Sequence, residues 1–137
     1  MSKYNSKKIE CDGITFDSKE EMKYYKYLLK LKAEGKITNF ELQPKYELLP
    51  AFEYMGKKRK AITYTPDFLI YHLDGTEELI DVKGIETQQG ELRRKLFEYR
   101  HNNIKLTWVA ASIKYGEDGW IEYGELKKIR ARNKKNK

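Results

Sequence analysis

The stretch from Thr65 to Gly84, TPDFLIYHLDGTEELIDVKG, constrains the fold more than any other part of the chain. Asp74-Gly75 is a turn signal between two strand-like runs, so the segment reads as a β-hairpin. Strand side chains alternate between faces. On the first run Asp67, Leu69 and Tyr71 share one face, and Phe68 and Ile70 the other. On the second, Asp81 and Lys83 point one way, and Ile80 and Val82 the other. Both faces are substantially apolar, which suits central strands covered on both sides. Acids in such a place need an explanation, because a buried unpaired carboxylate is expensive.

Register decides whether the acids meet. A two-residue turn at Asp74-Gly75 pairs Leu73 with Thr76 and Asp67 with Val82, which puts Asp67 and Asp81 on opposite faces. A three-residue loop, Leu73-Asp74-Gly75, pairs His72 with Thr76 and sets Asp67 opposite Asp81. A bulge near Pro66, which cannot donate a ladder hydrogen bond, would do the same. Two carboxylates at cross-strand distance repel unless a proton or cation sits between them. Oxygen-rich sites with few protein ligands suit Mg²⁺ or Mn²⁺. Lys83 beside them could orient an attacking water or balance phosphate charge, the parts of a phosphodiester hydrolase. The plainer reading is a cross-strand charge cluster at a strand end.

The rest of the chain predicts the covering elements. Ser18 and Glu21 form a capping box for a helix in SKEEMKYYKYLLKLKAEG, with Met22, Tyr25, Leu29 and Ala33 at helical spacing and Gly35 as a stop. Asp12-Gly13 turns a short strand pair before it. Ile37 to Leu49 alternates as a strand interrupted at Pro44. Lys57, Lys58, Arg59 and Lys60 read as a basic loop before a strand from Ala61 to Leu73. A third strand spans Glu77 to Val82. A helix from Gln88 to His101, with Leu92, Leu96 and Tyr99 on one stripe, leads to a strand from Ile104 to Ala111. A crossover of this kind makes strands three and four parallel. The mixture fits an α/β or α+β sheet packed between helices.

At 137 residues the chain is one domain by length, read here as residues 1–126 followed by a basic tail. Residues 127–137 hold seven of the 28 Lys and Arg and none of the 21 acids, so the body is formally neutral and the +7 net charge lies in the tail. That tail reads as a disordered solubilising end or as a tether for nucleic acid through Lys127, Lys128, Arg130 and Arg132. Cys11 is the only cysteine, which excludes a disulfide framework and a Cys-type zinc site. His72 and His101 have no second ligand at metal spacing on their own elements. No apolar run approaches membrane-spanning length and MSKYNSKK has no signal-peptide core, so the expected compartment is the cytosol, with no membrane partner.

Pro66-Asp67, thirteen residues, then Asp81-Val82-Lys83 resembles the signature of the PD-(D/E)XK nuclease superfamily. The chain looks closest to small phage-type members, with FDSKEE before the first helix and LQPKYEL before the motif; Holliday junction resolvase-like endonucleases are relatives within that fold. The resemblance implies a restriction-endonuclease-like core, a central mixed β-sheet flanked by helices. It implies Asp67 and Asp81 as ligands of Mg²⁺ or Mn²⁺, with the Val82 backbone carbonyl a third, and Lys83 as the catalytic lysine. A helix acid matches Glu21, which would join the catalytic set and the metal, with Glu20 the alternative. Gln43 approaches the site in similar proteins; its plainer reading is a strand-end amide. Arg93, Arg94 and Lys95, on the helix after the motif, could reach DNA phosphates, as could the Lys57–Lys60 run, and Thr87, Gln88 and Gln89 are weaker contacts. The function implied is a divalent-metal-dependent DNA endonuclease, selective for branched or junction DNA. The alternative is a non-catalytic DNA-binding protein on the same fold. A resolvase must place two active sites on one junction, so a homodimer would follow from that function.

Overall fold

The computed structural model describes residues 8–135. The N-terminal arm expected over residues 1–8 lies outside these but for Lys8. Strands β1 (Ile9–Cys11) and β2 (Ile14–Phe16) form the expected hairpin around Asp12-Gly13. Helix α1 (Lys19–Ala33) follows. Then come β3 (Ile37–Leu42), β4 (Tyr46–Leu49), β5 (Phe52–Tyr54), β6 (Lys57–Arg59) and β7 (Ile62–Tyr64). The chain continues through β8 (Phe68–His72), β9 (Glu77–Val82), α2 (Gln88–Arg100), β10 (Lys105–Ala111), β11 (Trp120–Glu122) and α3 (Tyr123–Lys135).

Five strands form the central sheet in the order β11-β10-β9-β8-β3. β9 and β10 run parallel across the α2 crossover, and the other neighbours are antiparallel. The fold is therefore mixed α/β (α+β), with a restriction-endonuclease-like arrangement of a mixed sheet between helices. On one face α1 and the β1–β2 hairpin cover Phe68, Ile70, Ile80 and Val109. On the other, Phe97 of α2 and the β4–β7 ribbon cover Leu69, Leu79, Leu106 and Trp108. Two covered faces explain why β8 and β9 are apolar on both sides.

Several expectations shift. The strand over Ile37–Leu49 is interrupted at Pro44 as expected, but its second half leaves the sheet to pair with β7. The long strand expected from Ala61 breaks at Thr65-Pro66-Asp67, where proline cannot donate to a ladder. Lys57–Arg59 is not a loop but one strand of a hairpin with β5. On α1 the buried residues are Tyr24, Tyr25 and Leu28, while Leu29 is exposed. On α2, Phe97 is buried and both Leu92 and Tyr99 are exposed, so the inward stripe lies one position from the expected one. The basic end is not loose: Leu126 packs into the core and α3 carries the chain as helix through Lys135. The domain read over residues 1–126 therefore extends through α3; residues 136 and 137 lie outside the described range.

Tyrosine tips are settled by carboxylates. Tyr25 donates to Asp12, Tyr27 to Asp118, Tyr71 to Glu41 and Tyr64 to Asp81. Each ring is thereby used as packing surface while its hydroxyl keeps a polar partner.

Candidate active site

The hairpin turn has the odd loop. His72 N–H donates to the Thr76 carbonyl at 2.9 Å, Gly75 N–H to the His72 carbonyl at 3.1 Å, and Gly75 takes φ 87°. A left-handed residue at this place is cheapest as glycine. Phe68 then pairs with Ile80 and Leu69 with Leu79, and one step beyond this last pair Asp67 comes against Asp81, its Oδ2 meeting the Val82 N–H. The two aspartates share a face at the β8 start and the β9 end.

Asp81 is the one buried charged residue among those described. Its Oδ2 accepts from Tyr64 Oη at 2.6 Å and pairs with Lys83 Nζ at 3.1 Å. Trp108, its neighbour on β10, donates Nε1–H to Tyr64 Oη at 3.4 Å. Lys83 Nζ lies 4.6 Å from the Trp108 ring centroid, and the Arg94 guanidinium 4.5 Å from it. Burial, then the Asp81 charge, holds the Tyr64 hydroxyl far above its ordinary range, so it stays a donor. Asp67 has thinner support: its Oδ2 accepts the Val82 N–H at 2.8 Å. Burial, the Asp81 carboxylate and then Glu21 push the Asp67 carboxyl well above the usual carboxylate range, which the Val82 bond only partly offsets.

A cleft of about 210 Å³ opens on Asp67 and is lined by Glu21, Gln43 and Thr15 together with the apolar Phe16, Leu42 and Phe68. Glu21 enters it because Ser18 fixes the first turn of α1, accepting the Glu21 N–H at 3.1 Å. Glu20 is exposed and outside that lining. Burial first, then the charges of Asp17 and Asp81, raises the Glu21 carboxyl above its ordinary value. Gln43 lines the cleft at φ 52° and donates its N–H to the Asp67 carbonyl at 2.9 Å, tying the β3 end to the β8 start. Among the described residues no group of three or more His, Cys, Asp or Glu is gathered closely enough to hold a metal ion, although Glu21 and Asp67 line the same cleft. The bond seen at Val82 comes from its N–H rather than its carbonyl.

A family described as "Protein of unknown function (DUF1064)" matches residues 1–117. The chain belongs to that family. In this DUF1064 chain the match spans both aspartates, Lys83, Glu21, Tyr64 and Trp108, and ends before β11 and α3. No curated protein matches the chain.

The remaining expected residues sit around this centre. Arg94 belongs to it through Trp108; Arg93 and Lys95 are exposed on α2, and Thr87 caps that helix by accepting the Gly90 N–H. Gln88 and Gln89 are exposed in its first turn. Lys127 is held by Glu86 at 2.5 Å and Lys128 by Glu125 at 3.6 Å, while Arg130 and Arg132 are exposed on α3. Lys57, Lys58, Arg59 and Lys60 are exposed on the β5–β6 arm and its exit. His72 and His101 are committed elsewhere, to Glu78 and to the Glu47 carbonyl. Sequence reasoning missed Tyr64 and Trp108. A tyrosine two residues before the Pro-Asp pair was the available signal for the first; Trp108 had none beyond its place in an apolar strand.

No helix among the described residues is long and apolar enough to cross a membrane.

Proposed function

We propose that this protein is a divalent-metal-dependent DNA endonuclease of the PD-(D/E)XK type, selective for branched or junction DNA. What carries the reading is one observation: Asp67 and Asp81 come together at the β8 start and the β9 end, beside Lys83, where burial first and then the Asp81 charge push the Asp67 carboxyl above its ordinary range. Lys83 pairs with Asp81, while Asp67 accepts from the Val82 N–H.

The donor set fits a hard cation such as Mg²⁺ or Mn²⁺. Donated hydrogen bonds fall on Oδ2 of each aspartate, so the remaining carboxylate oxygens of Asp67 and Asp81, with the Val82 carbonyl, are the ones that would hold such an ion. Such an ion, when bound, supplies positive charge to a phosphate oxygen and makes a nearby water more acidic. The residues of the chain do the rest. Tyr64 and Lys83 hold Asp81 in one orientation, the Trp108 ring holds Lys83, and the Lys83 ammonium would balance phosphate charge beside Asp81. Glu21, with its raised proton affinity, is a fitting acceptor for a proton released there. Gln43 lines the cleft, and the exposed bases of α2 would meet the backbone of a nucleic acid.

The test is a cleavage panel over supercoiled, linear, flap and four-way junction DNA, with Mg²⁺, Mn²⁺ or chelator, beside a mass measurement of the protein. The expected result is cation-dependent cutting, strongest on branched DNA, that falls by roughly 100-fold or more in Asp81→Ala and Lys83→Ala while binding persists. Binding to DNA with no cutting of any substrate under either metal would sink the nuclease reading in favour of a binding protein. A dimeric mass would accord with action on a junction.

A further inference from the structure

The β5–β6 hairpin stands apart from both cores. Every residue from Ala51 to Ala61 is exposed, and among the described residues the hairpin pairs with no other strand. Two-stranded hairpins are marginal on their own, so this one is held by its attachment to the β4–β7 ribbon below it. Its composition is unusual for a free surface. Phe52 pairs with Arg59, and Tyr54 with Lys57. Paired residues of an antiparallel ladder share a face, so one side presents two aromatic rings interleaved with two cations. Phe52 is 46% and Tyr54 56% exposed. At the tip, Met55 takes φ 48° and Gly56 φ 79°, the turn with two left-handed residues that a tight hairpin needs. The turn therefore holds a methionine, 83% exposed, where asparagine would sit with less strain.

A solvated arm needs neither rings nor a thioether. A phosphate-binding arm needs the cations but not the rings. Rings and cations alternating on one narrow, open face match a strand of nucleic acid whose bases are unpaired: bases stack on the aromatics while the backbone lies along the basic side chains. Duplex DNA hides its base faces and would use only the cations. We infer that the β5–β6 hairpin is an arm that grips unpaired nucleotides of the substrate. This rests on the proposal that the substrate is DNA, and it names the part of that substrate the arm holds. From the Tyr46–Tyr64 pair at the foot of the ribbon to Tyr54 is eight residues of chain, at most about 27 Å at strand rise. Since Tyr64 is the donor to Asp81, the unpaired segment would lie within about that reach of the aspartates.

The test uses the full chain in chelator, so that binding is read without cutting. Fluorescence anisotropy compares oligo(dT) of about 20 nucleotides with a blunt duplex of the same length. Phe52→Ala with Tyr54→Ala is expected to weaken oligo(dT) binding by about tenfold or more and to change duplex binding by less than about twofold. Lys57→Gln with Arg59→Gln is expected to weaken both and flatten their salt dependence. These side chains are exposed, and an unchanged thermal midpoint shows that both variants fold. Equal loss on the two DNAs, or no loss on either, would overturn the arm. So would loss of a dimer in the aromatic variant by mass, or loss of its binding to phosphatidylserine vesicles in place of oligo(dT). A chain that grips oligo(dT) through these rings yet cuts nothing with Mg²⁺ or Mn²⁺ keeps the arm and loses the nuclease; cutting without ring-dependent binding does the opposite.

Discussion

Asp67 and Asp81 are the same side chain in unequal company. Asp81 has a tyrosine and a lysine on one oxygen; Asp67 has one backbone N–H and a neighbouring negative charge. A carboxyl whose folded pKa is raised favours the fold most where it is protonated. Its contribution is fully present below the ordinary value of 3.8 and is lost as pH climbs through the raised one. Metal-free protein should therefore melt at a higher temperature near pH 5 than near pH 8, and Asp67→Asn should remove most of that difference. At neutral pH the same variant should gain roughly 4–10 °C over the parent in chelator, by calorimetry. An unchanged midpoint would mean that the pair is already neutralised by something else. Tyr64→Phe removes a hydrogen bond to a buried charge and should cost about 1.5–3 kcal/mol in urea denaturation. The aspartate pairing was legible because the loop length sets strand register, and Asp74-Gly75 with Leu73 offered the odd loop. Tyr64 was not legible, because its contact depends on β7 leaving the sheet and folding back over β9. No local pattern encodes that path.

Elements show the same division between what local chemistry encodes and what packing decides. The α1 start was readable, since Ser18 and Glu21 satisfy the first turn by themselves. Its inward stripe was not, because adjacent tyrosines at 24 and 25 allow either of two neighbouring helix faces. The β3–β8 sheet chooses the one bearing Leu28. For α2 the ambiguity was greater: a charged helix with scattered apolar residues points Phe97 inward, against Tyr46 and Tyr64, and leaves Leu92 and Tyr99 outside. Phe97→Ala should cost about 3–5 kcal/mol and Leu92→Ala less than about 0.5. Similar losses from the two would reverse the helix orientation. Lys57–Lys60 reads as a loop because both faces of the β5–β6 hairpin are wet. With no buried side there is no alternation to see.

At the scale of the molecule, charge separates from core. The sheet and its coverings use acids to anchor tyrosines, while surplus cations gather on α3 and on the arm. On α3 the first two lysines are already paired with Glu86 and Glu125, and exposed Lys134 and Lys135 end the helix, with the exposed Arg130 and Arg132 between. Replacing both with Gln should lower the slope of log affinity against log salt by up to about 2 if each meets a phosphate. A slope that does not move would leave α3 as packing for β10 and β11 alone. The overall layer order was legible from two strands apolar on both faces, since only a covered mixed sheet accommodates them. The diversion of β4 and β7 into a ribbon was not, because it depends on breaks at Pro44 and Pro66 that local patterns show only as interruptions.

The Leu49–Ile62 pair lies at the top of that ribbon, and everything beyond it is the arm. A two-residue Asn-Gly turn can close a ladder directly after such a pair. Replacing residues 50–61 with Asn-Gly should therefore leave a folded protein in which Tyr64 still reaches Asp81, with a circular dichroism spectrum and thermal midpoint close to the parent's. The arm is then an interchangeable part. Chains of this architecture could lengthen it, shorten it or carry a different tip while the aspartate pair beneath stays as it is.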